Sequence, residues 1–246
     1  MIETLAIVLG VALLAGVVVL VKHRFRPLGP DDEPREDVAE YISMMVGVLY
    51  ALVLGLALVS VWDTHSGAED HTATEASAAH QIHLLAAGLP PEQARRMRGE
   101  IDTYMRYVSE TEWPAMARRA SLGPTGWRIL DQVRAAGQVP ADATPAQQAT
   151  GQETLAQLST LSEARRGRES DAGEELSPVI WLGLIVGGVL TIAFMFMFGV
   201  KRSFSHVVMV MGLSALITFT VLLIHQLDSP FEGMFAVDPD PFSPYS

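Results

Sequence analysis

Charged residues stop in four places along the chain. No Asp, Glu, Lys or Arg occurs at 4–21, 41–62, 176–200 or 203–227. A helix rises 1.5 Å per residue, so about 20 residues cross a hydrocarbon layer roughly 30 Å thick. Each run has about that length, and none shows the polar stripe that a helix on a water-soluble core presents to solvent. The pattern predicts an all-α integral membrane protein with four transmembrane helices at roughly 4–21, 42–62, 178–200 and 203–227.

The spans group two and two around a polar middle. Residues 1–62 hold the first pair, joined by a charged connector with three prolines. Residues 63–177 are expected to form a helical extramembrane domain, 178–228 a transmembrane hairpin, and 229–246 a proline-rich tail. In the middle, TATEASAAHQIHLLAAG continues the second span without a proline, so that helix is expected to project from the membrane as one rod. Met97, Ile101, Tyr104, Met105 and Val108 recur at helical spacing after Pro90 and Pro91. TGWRILDQVRAAG reads as a short amphipathic helix, and the stretch with Leu155, Leu158 and Leu161 as another. No segment alternates as a strand does.

Composition narrows the function. The chain is 49% hydrophobic with mean hydropathy +0.26, consistent with a bilayer as its solvent. A net charge of −11 argues against a nucleic-acid partner. No cysteine is present, which removes disulfides and thiolate metal sites. Residues 1–4 carry no positive charge and no small-residue cleavage site follows the first run, so it is expected to be retained as a helix. Lys22, Arg24, Arg26 and Arg35 in the first connector, and Lys201 and Arg202 in the last turn, place both connectors in the cytoplasm by the positive-inside rule. The middle domain and both termini are then outside.

Four stretches carry a resemblance. GVLYALVLGLALVSVWD in the second span, EWP at 112–114, FG at 198–199 and LDSPFEG at 227–233 resemble the bestrophin-like family of bacterial membrane proteins, a domain of unknown function. The resemblance runs from about 40 to 240. It implies two pairs of membrane helices around a helical middle segment and a homo-oligomer in a bacterial cytoplasmic membrane. Bestrophins are oligomeric anion channels whose second helix lines the pore, so it also implies inorganic anions as partners. It would put the middle domain in the cytosol, opposite to the charge count.

Within the second span, Tyr50 offers a hydroxyl, and Leu54, Leu58 and Val61 follow roughly on its side. A ring of such residues around an axis gates by dewetting, which makes these four the expected pore lining. Gly47, Ala51 and Gly55 form a small face for helix packing in lipid. The segment beyond holds His65, Glu69, His71, Glu75, His80 and His83. Pairs at i, i+3 and i, i+4 suit a metal such as zinc, but these pairs do not point the same way, so no metal or other cofactor is expected. No nucleophile elbow, P-loop or dinucleotide fingerprint occurs, and enzymatic chemistry is not expected. The expected function is a channel; the alternative is a non-conducting membrane protein whose middle domain binds a partner or senses its surroundings.

Overall fold

The computed structural model describes residues 36–197 and 204–242, with residues 6, 7, 9–11, 13, 14, 17, 18 and 21 of the first hydrophobic run. The connector bases Lys22, Arg24, Arg26 and Arg35, the FG pair at 198–199, and Lys201 and Arg202 lie outside the described residues. The described elements are α1 (Glu36–Leu85), α2 (Pro91–Tyr107), α3 (Trp113–Met116), α4 (Thr125–Ala136), α5 (Pro145–Asp171), α6 (Pro178–Met197) and α7 (Phe204–Leu227). No strand occurs among the described residues. Three stretches there are long and apolar enough to cross a membrane: Tyr41–Gly88, Pro178–Met195 and Val207–Leu227.

α1 runs 50 residues because nothing in it breaks a helix; it contains no proline. It ends at Leu85, and a 3₁₀ turn, Ala86–Gly88, leads to Pro90 and Pro91. A residue before proline is pushed out of the α region, and Leu89 is extended at φ −99°, ψ 162°. Pro91 then opens α2 at the first helical position, where its missing N–H costs nothing. α5 opens on a capping box: the Thr144 hydroxyl accepts from the Gln147 N–H, and the Gln147 side chain accepts from the Thr144 N–H.

The chain divides into two compact units. The first comprises Met1–Trp62 and Glu175–Asp228. Its interior is thin: Ala57, Val61, Leu184, Ile224 and Leu227, with Leu54, Leu58, Leu176, Trp181 and Leu223 around them. Its outside is apolar, with Val179 77%, Leu182 63%, Leu56 64% and Leu216 60% exposed. Each such side chain left in water forgoes about 1.5–3 kcal/mol of burial, whereas hydrocarbon accepts it without that cost. Hydroxyls here are satisfied locally. Thr191, Thr218 and Thr220 each donate to the carbonyl four residues back, at 2.7–2.9 Å. Asp228 holds one end of the hairpin: Oδ1 accepts the Leu176 N–H at 2.7 Å and Oδ2 the Trp181 Nε1–H at 3.0 Å.

The second unit comprises Asp63–Glu174 and Ser229–Ser246. Its core gathers Ala79, Ile82, Met97, Ile101, Tyr104, Leu130, Val133, Leu158 and Leu161 from α1, α2, α4 and α5. The tail adds Phe231, Val237 and Phe242.

Candidate functional site

The expected pore residues share one side of α1, and that side packs inside the first unit. Tyr50 is 7% exposed and Val61 4%, while Leu54 and Leu58 flank the Ala57–Leu184–Ile224 cluster. The Tyr50 ring lies over two glycines of α6; a Cβ on Gly187 would meet it at 2.6 Å. Only bare backbone admits the ring so closely. The Tyr50 hydroxyl donates to the Leu184 carbonyl at 3.1 Å, so its polar end needs no water.

The expected helix-packing residues are less covered. A Cβ on Gly47 or Gly55 would meet nothing within 4 Å, and Ala51 is exposed. Gly47 and Ala51 edge an apolar groove of about 670 Å³ that Leu54, Phe194, Met209 and Leu213 also line. Opposite the Tyr50 side, a second stripe of α1 is open: Met45, Leu52, Leu56 and Val59 are 52–64% exposed. At the period of seven set by Leu56, the exposed residues Asp63, Asp70, Ser77 and Leu84 follow on the same helix.

The histidine-rich segment is dispersed over separate partners. His65 Nε2 bonds the Phe235 carbonyl at 2.6 Å, and His80 Nε2 the Pro241 carbonyl at 3.2 Å. Both therefore carry a proton on Nε2 and hold the tail. His71 Nδ1 pairs with Asp171 at 2.6 Å and His83 Nδ1 with Asp102 at 2.8 Å. Glu69 is exposed, 4.0 Å from His65. Glu75 points the other way, into the core. Among the described residues no group of three or more His, Asp or Glu is placed to hold a metal ion.

Glu75 leads to a cluster that sequence reasoning missed. Arg165 and Arg168 of α5 are fully buried. Arg168 Nε and Nη2 donate to Glu75 at 2.6 and 2.9 Å, and its Nη2 also reaches Glu112 at 3.0 Å. Arg165 forks onto Glu112 at 2.9 and 2.5 Å, and its Nη1 donates to the Tyr104 hydroxyl at 3.0 Å. Tyr104 donates in turn to Glu75 at 2.5 Å. Burial alone would lower both guanidinium pKa values. The Glu112 hydrogen bond for Arg165, and the Glu75 charge and hydrogen bond for Arg168, outweigh it and hold both above the ordinary arginine value. The signal was present: 158, 161, 165 and 168 recur at three and four, so the two arginines occupy core positions of a leucine stripe.

The motif residues meet here. A five-residue π-helical turn, Val108–Glu112, precedes Trp113 and Pro114. Pro114 has no N–H for the Glu110 carbonyl and its ring crowds that oxygen, so the backbone widens before it. Glu112 faces the arginines. Trp113 turns to the tail: its Nε1–H donates to the Val237 carbonyl at 3.0 Å and its ring meets Phe231 edge-on at 5.3 Å. Arg119, at φ 54°, donates to Glu232 at 2.9 Å and to Ser229 at 2.5 Å. EWP and PFEG are therefore two halves of one packing contact.

A family model, the Bestrophin-like domain, matches residues 9–242. Among solved structures, the chain is similar to a bacterial bestrophin homologue from Klebsiella pneumoniae carrying a point mutation. The two share 14% identity with a TM-score of 0.68, over 96% of this chain and 94% of that one. At that identity the likeness speaks for the fold. No curated protein matches the sequence.

Proposed function

The chain belongs to the bestrophin-like family, and from that premise we propose that it is one subunit of an oligomeric membrane channel for small inorganic ions, with four spans arranged two and two and α1 around the axis. One observation carries the reading. α1 is a single helix whose Met45–Leu52–Leu56–Val59 stripe is left uncovered by α6 and α7. That stripe suits self-association of α1 helices, and a ring of Leu and Val at its centre suits gating by dewetting. The proposal moves the lining away from Tyr50, Leu54, Leu58 and Val61, because these are already occupied against α6 and α7. Gly47 and Gly55, with nothing against them, fit close approach of a neighbouring helix. The absence of Asp, Glu, Lys and Arg from the membrane part of α1, α6 and α7 disfavours a pump or proton-coupled carrier.

Electron microscopy of the detergent-purified protein, with ion flux into liposomes, tests this. A closed ring with α1 innermost and a flux above that of empty vesicles is expected. A monomer that passes no ions would overturn it.

A further inference from the structure

We propose that the turn at 233–235 is a membrane anchor, with Met234 and Phe235 seated in the headgroup layer of the phospholipid bilayer. The inference goes beyond the channel reading and needs only that α1 and α7 cross a bilayer. Among the described residues, the second unit exposes four large apolar side chains: Leu84, Leu155, Met234 and Phe235. Leu84 and Leu155 stand singly on α1 and α5, as apolar residues do on many soluble surfaces. Met234 and Phe235 are neighbours, 49% and 46% exposed, at the tip of a turn. Adjacent apolar side chains held outward together mark a surface for another apolar phase.

The turn is braced at both ends and along its backbone. The Val237 N–H donates to the Pro230 carbonyl at 2.8 Å and closes the loop. Phe231 and Val237, flanking the tip, are buried in the core of the unit. Gly233 takes φ 90°, a left-handed conformation that suits glycine, and turns the chain back. His65 Nε2–H donates to the Phe235 carbonyl at 2.6 Å. Arg119 holds Glu232 and Ser229, so the acid next to the apolar pair is already matched. The pair is thus ordered outward by the fold itself.

Chain continuity sets the depth. Within the first unit, Val61 of α1 and Leu227 of α7 belong to one buried cluster, so these two spans end together. His65 follows Trp62 by three residues of one helix, about 4.5 Å of rise. Beyond the hydrocarbon, the headgroup layer is about 5–8 Å thick on each side. The carbonyl that His65 holds therefore belongs to that layer. Met234 follows Leu227, the end of the last span, by seven residues. Apolar side chains such as Phe enter the boundary of headgroups and acyl chains from such a position.

The chain has no cysteine, so Phe235→Cys accepts a single fluorescent label. The full chain is placed in nanodiscs of phosphatidylcholine, a fraction of which carries a nitroxide quencher on the headgroup. Quenching at 235 is expected to exceed several-fold that of the same label at Leu155→Cys, exposed on α5. Met234→Cys, labelled in turn, is expected to match 235 and replaces it if the first variant does not fold. Quenching at the turn no greater than at 155 would overturn the anchor. If aqueous iodide then reaches the label, the tip stands in water; if it does not, a second copy of the chain covers it. Either result leaves the channel reading standing, and absence of ion flux would not touch the anchor.

Discussion

Arg168 and Glu75 face each other through two hydrogen bonds, at 2.6 and 2.9 Å, and neither side chain is exposed to solvent. One residue stands on α1 and the other on α5, 93 positions apart. Two buried charges at such a contact are individually costly to desolvate, and here each is matched by the other, with Glu112 also on Arg168 and the Tyr104 hydroxyl also on Glu75. The two hydrogen bonds run from one guanidinium to one carboxylate and so tie α1 to α5 at these positions.

Removing one partner strands the other. Glu75→Gln or Arg168→Met is expected to lower stability by about 3–5 kcal/mol, since an uncompensated charge would remain buried. Thermal unfolding in detergent reads this. The joint change Glu75→Leu with Arg168→Met should cost distinctly less than the sum of the singles. Full additivity would show that the two residues do not act as a pair.

Tyr104 sets an alkaline limit. Burial, then the neighbouring Glu75 charge, hold its hydroxyl well above the usual value, although Arg165 and Arg168 pull it down. A phenol whose folded pKa exceeds its unfolded value contributes stability that is complete below about pH 10 and lost as pH rises toward the folded value. Wild-type stability is expected to fall above that pH. Tyr104→Phe is expected to be weaker at neutral pH by about 1–2 kcal/mol, from the lost hydrogen bonds, and to show a shallower alkaline decline. Denaturation curves at several pH values check it; parallel declines in both proteins would contradict it.

The Tyr50 seat on α6 admits no side chain. Gly187→Ala places a methyl 2.6 Å from the ring and is expected to cost about 1–3 kcal/mol. Adding Tyr50→Ala should recover part of that loss, because the intruding methyl then has room. Melting temperatures of the two singles and the double read the coupling, and its absence would count against the observed contact.

The tail belongs to the core of its unit. Trp113→Ala removes the ring that meets Phe231 and Phe242 at 5.3 and 5.8 Å, and the donor to Val237. A loss of about 3–5 kcal/mol is expected, with earlier proteolytic cleavage at 229–242. A tail equally protected in the variant would contradict this role.

The helical elements were largely legible, because periodicity and prolines report local structure. The unbroken passage of α1 through 63–85 followed from the lack of a proline, and Pro91 marked a real helix start. The partners were not legible. The Leu158–Leu161 spacing puts Arg165 and Arg168 on the inward stripe, but nothing local names their partners, Glu112 53 residues and Glu75 93 residues earlier. The histidines looked like a group because they are close in sequence, yet a helix turns them to different neighbours, two to tail carbonyls and two to carboxylates. Prolines say that the tail is not helical and are silent on where Phe231 and Phe242 go.

Glu112, Trp113 and Pro114 have three different duties: one neutralises arginines, one receives the tail and one widens the backbone so that the first two can diverge. All three duties concern assembly of a single unit, and none lies on the open stripe of α1. Finding these three letters in another chain would thus testify to a shared scaffold while leaving its transported species, and even the existence of transport, to be established from other positions.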